Sequence, residues 1–156
     1  MILERIRELL TTHELPFCEL HHPPTRTSRD SARERGEPLE IGGKALLIKV
    51  DDRFALFVLS AARRLDSKAL RRSVGARKSR FATPEELAAL TGGLVPGSVP
   101  PFGEPILPFP LIADASVLAN ARIAFNAGSL TDSIVLATAD WAKVARPRVL
   151  EFTTTP

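Results

Sequence analysis

Gly42-Gly43-Lys44 is the first place in this sequence where residue types and spacing could do chemistry, because the lysine opens the apolar run Lys44–Val50 (KALLIKV). A compact ammonium at the start of such a run serves either as a solvent-facing charge on an edge strand, the commoner use, or as a group that meets a ligand. The second place is the Gly/Pro-rich stretch Thr91–Pro110 (TGGLVPGSVPPFGEPILPFP). Its glycines allow backbone N–H groups to approach a ligand closely, although a structural turn reads the same way. The third is Cys18, His21 and His22, which carry metal-ligand chemistry. One cysteine and three histidines in the whole chain are a poor supply for a closed metal site. Cys18 reads instead as a small apolar packing residue. No Ser, His and acid set stands out by spacing.

Several common chemistries are excluded. Gly92-Gly93-Leu94-Val95-Pro96-Gly97 lacks the Gly-Lys-Ser/Thr ending of a phosphate loop. No strand leads into it and Pro96 interrupts any helix, so it is not a dinucleotide fingerprint. The 156 residues fit one domain with one core. One cysteine permits no internal disulfide and fits a reducing compartment, so a cytoplasmic location is expected. No apolar run is long enough to span a membrane, and MILERIRELL alternates charge with apolar residues unlike a signal peptide. Net charge is only +3, but its placement is uneven. Arg63–Arg80 holds eight bases and one acid, Asp66. Such a face attracts polyanions or is simply solvated. It contains no aromatic residue for base stacking.

These groups must be positioned by elements that the pattern also predicts. Ile2, Leu3, Ile6, Leu9 and Leu10 form one face of a first helix, ended by Thr11, Thr12 and Pro16. Phe17–His22 reads as a short strand and His22-Pro23-Pro24 as an extended turn. A helix follows over Arg29–Arg35, with Ser28 as N-cap and Gly36 as its stop. Lys44–Val50 and Phe54–Leu59 read as a hairpin of buried strands. Asp66 caps a helix to Val74, closed by Gly75. Phe81-Ala82 ends a strand. Thr83-Pro84-Glu85-Glu86 starts a helix to about Leu90. The Gly/Pro stretch is expected to be a structured loop with an extended edge segment. Strands near Arg122–Asn126, Ile134–Ala137 and Arg148–Phe152 and a short helix from about Asp140 complete the chain. Residues 1–156 are expected to form a single domain of mixed α/β (α+β) class, a mixed sheet curled into a partial barrel and flanked by helices.

The order of several segments resembles the YbaK/ProX aminoacyl-tRNA deacylases and the insertion editing domain of bacterial prolyl-tRNA synthetase. The resemblance is carried by His22-Pro23-Pro24, by Gly43-Lys44-Ala45-Leu46-Leu47-Ile48-Lys49, and by Ala88, Leu90, Thr91 and Gly92. It continues through Gly92-x-x-x-Pro96-Gly97, Pro101-Phe102-Gly103 and Phe125-Asn126-Ala127-Gly128. It implies a domain that cleaves the ester between an amino acid and the tRNA 3′-terminal ribose, with no metal and no organic cofactor. Lys44 falls on the functional lysine. Gly97, with Pro96 and Ser98, falls in the loop lining the amino-acid pocket. Asn126, with Gly128, falls near the polar position lining it from a late strand, and Phe17 and His22 fall near its wall or mouth. Alanine-selective members carry Asn after the lysine where this chain has Ala45, so the resemblance does not extend to that position. The expected partner is the acceptor end of an aminoacyl-tRNA, such as tRNA-Pro charged with Cys or Ala, with prolyl-tRNA synthetase as a second partner. Lys68, Arg71 and Arg72 are the expected tRNA contacts. The alternative is a non-catalytic tRNA- or nucleotide-binding module with the same fold.

Overall fold

The computed structural model describes residues 1–156, and alternating side-chain direction along two long strands organises it. Helix α1 (Ile2–Thr12) comes first, then strand β1 (Cys18–His21) and helix α2 (Ser28–Arg35). The hairpin β2 (Gly43–Val50) and β3 (Arg53–Ser60) turns through Asp51-Asp52, with Asp51 at φ 54°. Its Oδ1 accepts from the Arg77 and Lys78 amides, which ties the basic segment to the turn. Then come β4 (Arg64–Leu65), α3 (Ser67–Val74), β5 (Ser79–Phe81), α4 (Pro84–Thr91), β6 (Leu111–Asp114) and α5 (Ala115–Leu118). The chain ends with β7 (Arg122–Asn126), β8 (Asp132–Ala137), α6 (Thr138–Ala145), β9 (Arg148–Leu150) and β10 (Thr153–Thr154).

The strands form a mixed five-stranded sheet ordered β5-β2-β3-β6-β9, an antiparallel sheet β1-β8-β7, and the pair β10-β4. The mixed α/β class is as expected, but no sheet closes into a barrel, and the partial barrel is unsupported. Ala45, Leu47, Leu56 and Val58 face Ile123, Phe125, Ile134 and Leu136 of the other sheet, with Ile6, Leu10 and Trp141 in the same core. On the opposite face Ile48, Phe57, Leu59 and Ile112 pack under Leu70 of α3 and Phe152. Phe57 and Phe152 meet edge to face at 5.4 Å.

Two sequence expectations are corrected. The α2 cap is Thr27, not Ser28: its backbone is extended and its side chain accepts from the Asp30 amide at 3.1 Å. Ser28 is already helical. The Gly/Pro stretch contains no strand; its extended edge segment is a succession of turns. The strand begins after Pro110, and it is central rather than an edge, lying parallel to both β3 and β9. Alternation is invisible in β6 because Leu111, Ile112, Ala113 and Asp114 are all buried.

Asp114 fastens the C-terminal segment to this central strand. Its carboxylate accepts from the Phe152 amide at 2.8 Å, the Thr153 hydroxyl at 2.8 Å and the Ser116 amide at 3.0 Å. Desolvation raises its pKa, but these donors together outweigh burial and hold it below the ordinary 3.8. A carboxylate with a lowered folded pKa stabilises fully above its unfolded value and loses that effect as pH falls through the folded one. Asp114→Asn should cost about 1–3 kcal/mol near neutral pH, the effect of misfitting a buried charge-assisted hydrogen bond. In thermal melts, the deficit relative to wild type should shrink as pH falls below 3.8. A deficit that stays constant through that range would refute the account.

Candidate functional site

A candidate site forms where β2 leaves the close crossing of the two sheets. Gly42 makes a parallel bridge to Ala124, the residue after Ile123 in β7. A Cβ on Gly43 would lie 2.6 Å from Ile123 Cδ1, so any side chain there would have to displace the buried Ile123 side chain. β5 covers only Ile48–Val50 of β2 and leaves the edge beside Lys44 uncovered. The resulting cleft holds about 560 Å³. Its walls include Thr25–Ser28, Ser31 and Arg35 from α2 and the turn before it, Gly42–Leu46 from β2, and Ala61. Pro96, Gly97, Ala124, Asn126 and Leu130 close it.

Lys44, Pro96, Gly97 and Asn126 are therefore brought together from three separate segments. Lys44 is exposed and makes no hydrogen bond or ion pair within the protein. Gly97 has φ 88°, and its N–H donates to no protein group while its carbonyl accepts from Asn126 Nδ2 at 2.8 Å. The cleft contains Arg26, Arg35 and Lys44 but no Asp or Glu. Three basic residues without a carboxylate favour an anion or an oxygen that gains charge.

The other candidates lie elsewhere. Ser98 is buried below the loop, where its hydroxyl donates to the Val95 carbonyl at 2.7 Å and accepts from the Val95 amide at 3.1 Å. Gly128 packs against Ile2, and its N–H donates to the Ser98 carbonyl at 3.0 Å. Phe17 packs on the main core. His22 is buried behind the cleft. Pro23 offers only a carbonyl to His22 Nδ1 (2.9 Å), so that nitrogen carries a proton, and Nε2 bonds Ser133 Oγ at 2.7 Å. Lys68 and Arg72 are exposed on α3, and half-buried Arg71 donates to Ser79 Oγ at 3.1 Å. None of these lines the cleft. Cys18, His21 and His22 do not converge, because Cys18 is exposed, His21 bonds Asp132 and His22 bonds Ser133. No group of three or more His, Cys, Asp or Glu side chains is placed to hold a metal ion.

The sequence reading missed Arg35. This guanidinium lines the cleft from the last turn of α2, and desolvation lowers its pKa to about 10, with Glu37 acting in the opposite direction. It has no carboxylate partner, since Glu37 is held by Arg122 at 2.7 and 2.8 Å. In the sequence it is one of three arginines in a polar helix, with nothing to separate it from solvated Arg29 and Arg33.

A cationic cleft free of carboxylates, with an unused lysine and an unused backbone donor in a mixed α/β fold, suits a site that handles an electron-rich ester or phosphate. Sequence comparison identifies the class: the family described as "Aminoacyl-tRNA editing domain" matches residues 22–144. The chain belongs to that family and is an aminoacyl-tRNA hydrolase. It is 33% identical over 155 residues to the multifunctional Ser/Thr-tRNA deacylase ProXp-y of Escherichia coli K12, covering 96% of this chain and 91% of that protein. A segment covering 67% of this chain is 32% identical to 18% of proline–tRNA ligase from Shouchella clausii. Among solved structures, a proposed trans-editing enzyme for prolyl-tRNA synthetase superposes with a TM-score of 0.82 at 26% identity, covering 97% of this chain and 96% of that one. No helix is long and apolar enough to cross a membrane.

The Gly97 geometry yields a test. A Cβ there would meet Leu130 Cδ2 at 3.5 Å, an ordinary contact, so strain comes from φ rather than from crowding. Gly97→Val should displace the loop and cut single-turnover ester hydrolysis by about 10²-fold, the cost of an ångström-scale misplacement. Local strain of about 1–3 kcal/mol should lower the melting temperature without unfolding the domain. Full activity in a folded Gly97→Val protein would remove this loop from the site.

Proposed function

We propose that this chain acts in trans as a deacylase of tRNA mischarged with a small amino acid, using the cleft as its aminoacyl pocket and Lys44 as its catalytic residue. The carrying observation is the convergence of Lys44, Gly97 and Asn126 on one cleft that holds no acid. An aminoacyl ester is already activated, so no strong nucleophile is needed. Water, positioned by the neighbouring ribose hydroxyl, adds to the carbonyl carbon and gives up a proton. The Lys44 ammonium and the free Gly97 N–H stabilise the oxyanion. The ribose oxygen then leaves with a proton, and hydrolysis ends in free amino acid and uncharged tRNA.

Pocket chemistry supports a small hydroxyl-bearing substrate. Thr25, Thr27, Ser28 and Ser31 put four hydroxyl residues on the wall. Thr25 and Ser31 bond each other at 2.7 Å and Thr27 caps α2, which leaves the Ser28 hydroxyl free to meet serine or threonine, the amino acids in the name of the Escherichia coli relative. The Cys or Ala expectation has no comparable support from the wall, and all four belong on the test panel. The link to prolyl-tRNA synthetase rests on the two relatives whose names include it. Lys44 alternates onto the same sheet face as Leu46, Ile48 and Val50, the face that α3 covers. That shared face supports Lys68, Arg71 and Arg72 as contacts for the acceptor stem.

Lys44→Ala should reduce single-turnover deacylation by about 10²-fold or more, comparable to losing one oxyanion donor. Lys44→Arg should rescue poorly, since a planar fork does not replace a point charge. Melting should barely change because the side chain is exposed. A Lys44→Ala protein that melts normally and hydrolyses at the wild-type rate would refute the catalytic assignment. Wild-type inactivity across the panel with tRNA binding intact would favour a binding module. Separately, Arg71→Glu with Arg72→Glu should weaken tRNA binding and flatten the logarithmic salt slope by about 0.7–0.9 per lost phosphate contact. An unchanged slope would return α3 to the role of a solvated face.

A further inference from the structure

We infer that Arg35 is a positioning residue of the site: it fixes the Asn126 side-chain amide so that Asn126 holds the Pro96–Gly97 loop against the cleft. This deepens the proposed function and rests on it for the role of the loop in hydrolysis. Arg35 Nη2 donates to Asn126 Oδ1 at 3.0 Å, and Arg35 Nε donates to Ser133 Oγ at 2.9 Å. A guanidinium only donates, so the atom of Asn126 that faces it must be the oxygen. The amide nitrogen is then turned to the Gly97 carbonyl, which only accepts, at 2.8 Å. The two ends of the amide are thus assigned by their partners, and a flip would break both bonds at once.

Ser133 continues the arrangement away from the cleft. Its Oγ accepts from Arg35 Nε at 2.9 Å and lies 2.7 Å from His22 Nε2 and 3.2 Å from Asn126 Oδ1, and His22 Nδ1 lies 2.9 Å from the Pro23 carbonyl. Ser133 is fully buried and His22 nearly so, which makes this anchor rigid. On the cleft side, Asn126 is the one side chain that bonds the Gly97 backbone. Removing its orientation would free a loop whose glycine sits at φ 88° with its N–H uncommitted. Desolvating a cation without a carboxylate is costly, and the hydrogen bonds to Asn126 and Ser133 offset that cost only with a forked donor.

Three variants separate positioning from charge and from plain structural support. Arg35→Met removes both bonds. Arg35→Lys keeps the charge but cannot reach Asn126 and Ser133 as a fork. Asn126→Asp keeps a partner for Arg35, now as an ion pair, but cannot donate to Gly97. Single-turnover hydrolysis is measured with KM for charged tRNA, and hydrogen exchange is followed at the Ser98 and Gly128 amides, which tie the loop to Val95 and to β7. Expected for all three is a fall in kcat of about tenfold or more with KM little changed, and exchange at both amides faster by a similar factor. Asn126→Asp should do this while melting no lower than wild type. Rescue by Arg35→Lys would show that charge alone matters and overturn the inference, as would wild-type exchange at both amides in Asn126→Asp. The exchange measurement needs no substrate. A wild type inactive on every charged tRNA would therefore count against the proposed function, while loosened amides in the variants would still support the Arg35 assignment.

Discussion

Two sheets can approach closely only where one strand carries no side chain, and the site depends on that constraint. At Gly43 any Cβ would strike Ile123, and one residue earlier Gly42 bridges Ala124. The crossing sets the separation of β2 and β7, and so the distance between whatever follows Gly43 and whatever follows Ala124. Lys44 is the next residue on one side, and Asn126 lies two residues on at the other. A side chain at residue 43 would have to displace Ile123 at the base of the cleft. The glycine before the lysine is therefore part of the site although it offers no functional group.

The second constraint is the removal of carboxylates from the cleft. Three acids close to it in the chain are committed elsewhere. Glu37 pairs with Arg122 and Asp30 with Arg33. Asp132 is held by His21 first and then by Ser129, and its pKa lies below the ordinary range as a result. An acid facing Lys44 would neutralise it and leave little field for a developing oxyanion. These ion pairs are exposed and contribute little to stability. Their effect here is to leave the positive groups of the cleft without local counter-charges.

The sequence was readable where one physical cause dominated. Caps placed α3 and the start of α4 closely, since Asp66, Gly75 and Thr83 act within a single turn. The hairpin was legible from two apolar runs around Asp51-Asp52. Strand β6 was not, because a strand buried on both faces has no alternation and the proline-rich segment before it suggested a loop. Lys44, Gly97 and Asn126 were singled out by family resemblance, while their convergence needed the fold. Arg35 was illegible in either way: its burial and its lack of a carboxylate arise from how α2 packs across β7 and β8, not from its neighbours in the chain.

No group of His, Cys, Asp or Glu side chains is placed to hold a metal ion, and the chemistry of an aminoacyl ester puts most weight on position. Peptide hydrolysis needs a strong nucleophile because the amide is stable. An aminoacyl ester needs mainly a held carbonyl and a place for negative charge, so rate follows from position. A site of this kind is only as good as the rigidity of its donors. The one backbone donor proposed here belongs to a glycine in a loop, the least rigid type of position. Holding that loop from the half-buried Arg35, through an amide whose two ends are set by their partners, is the means of rigidity proposed above.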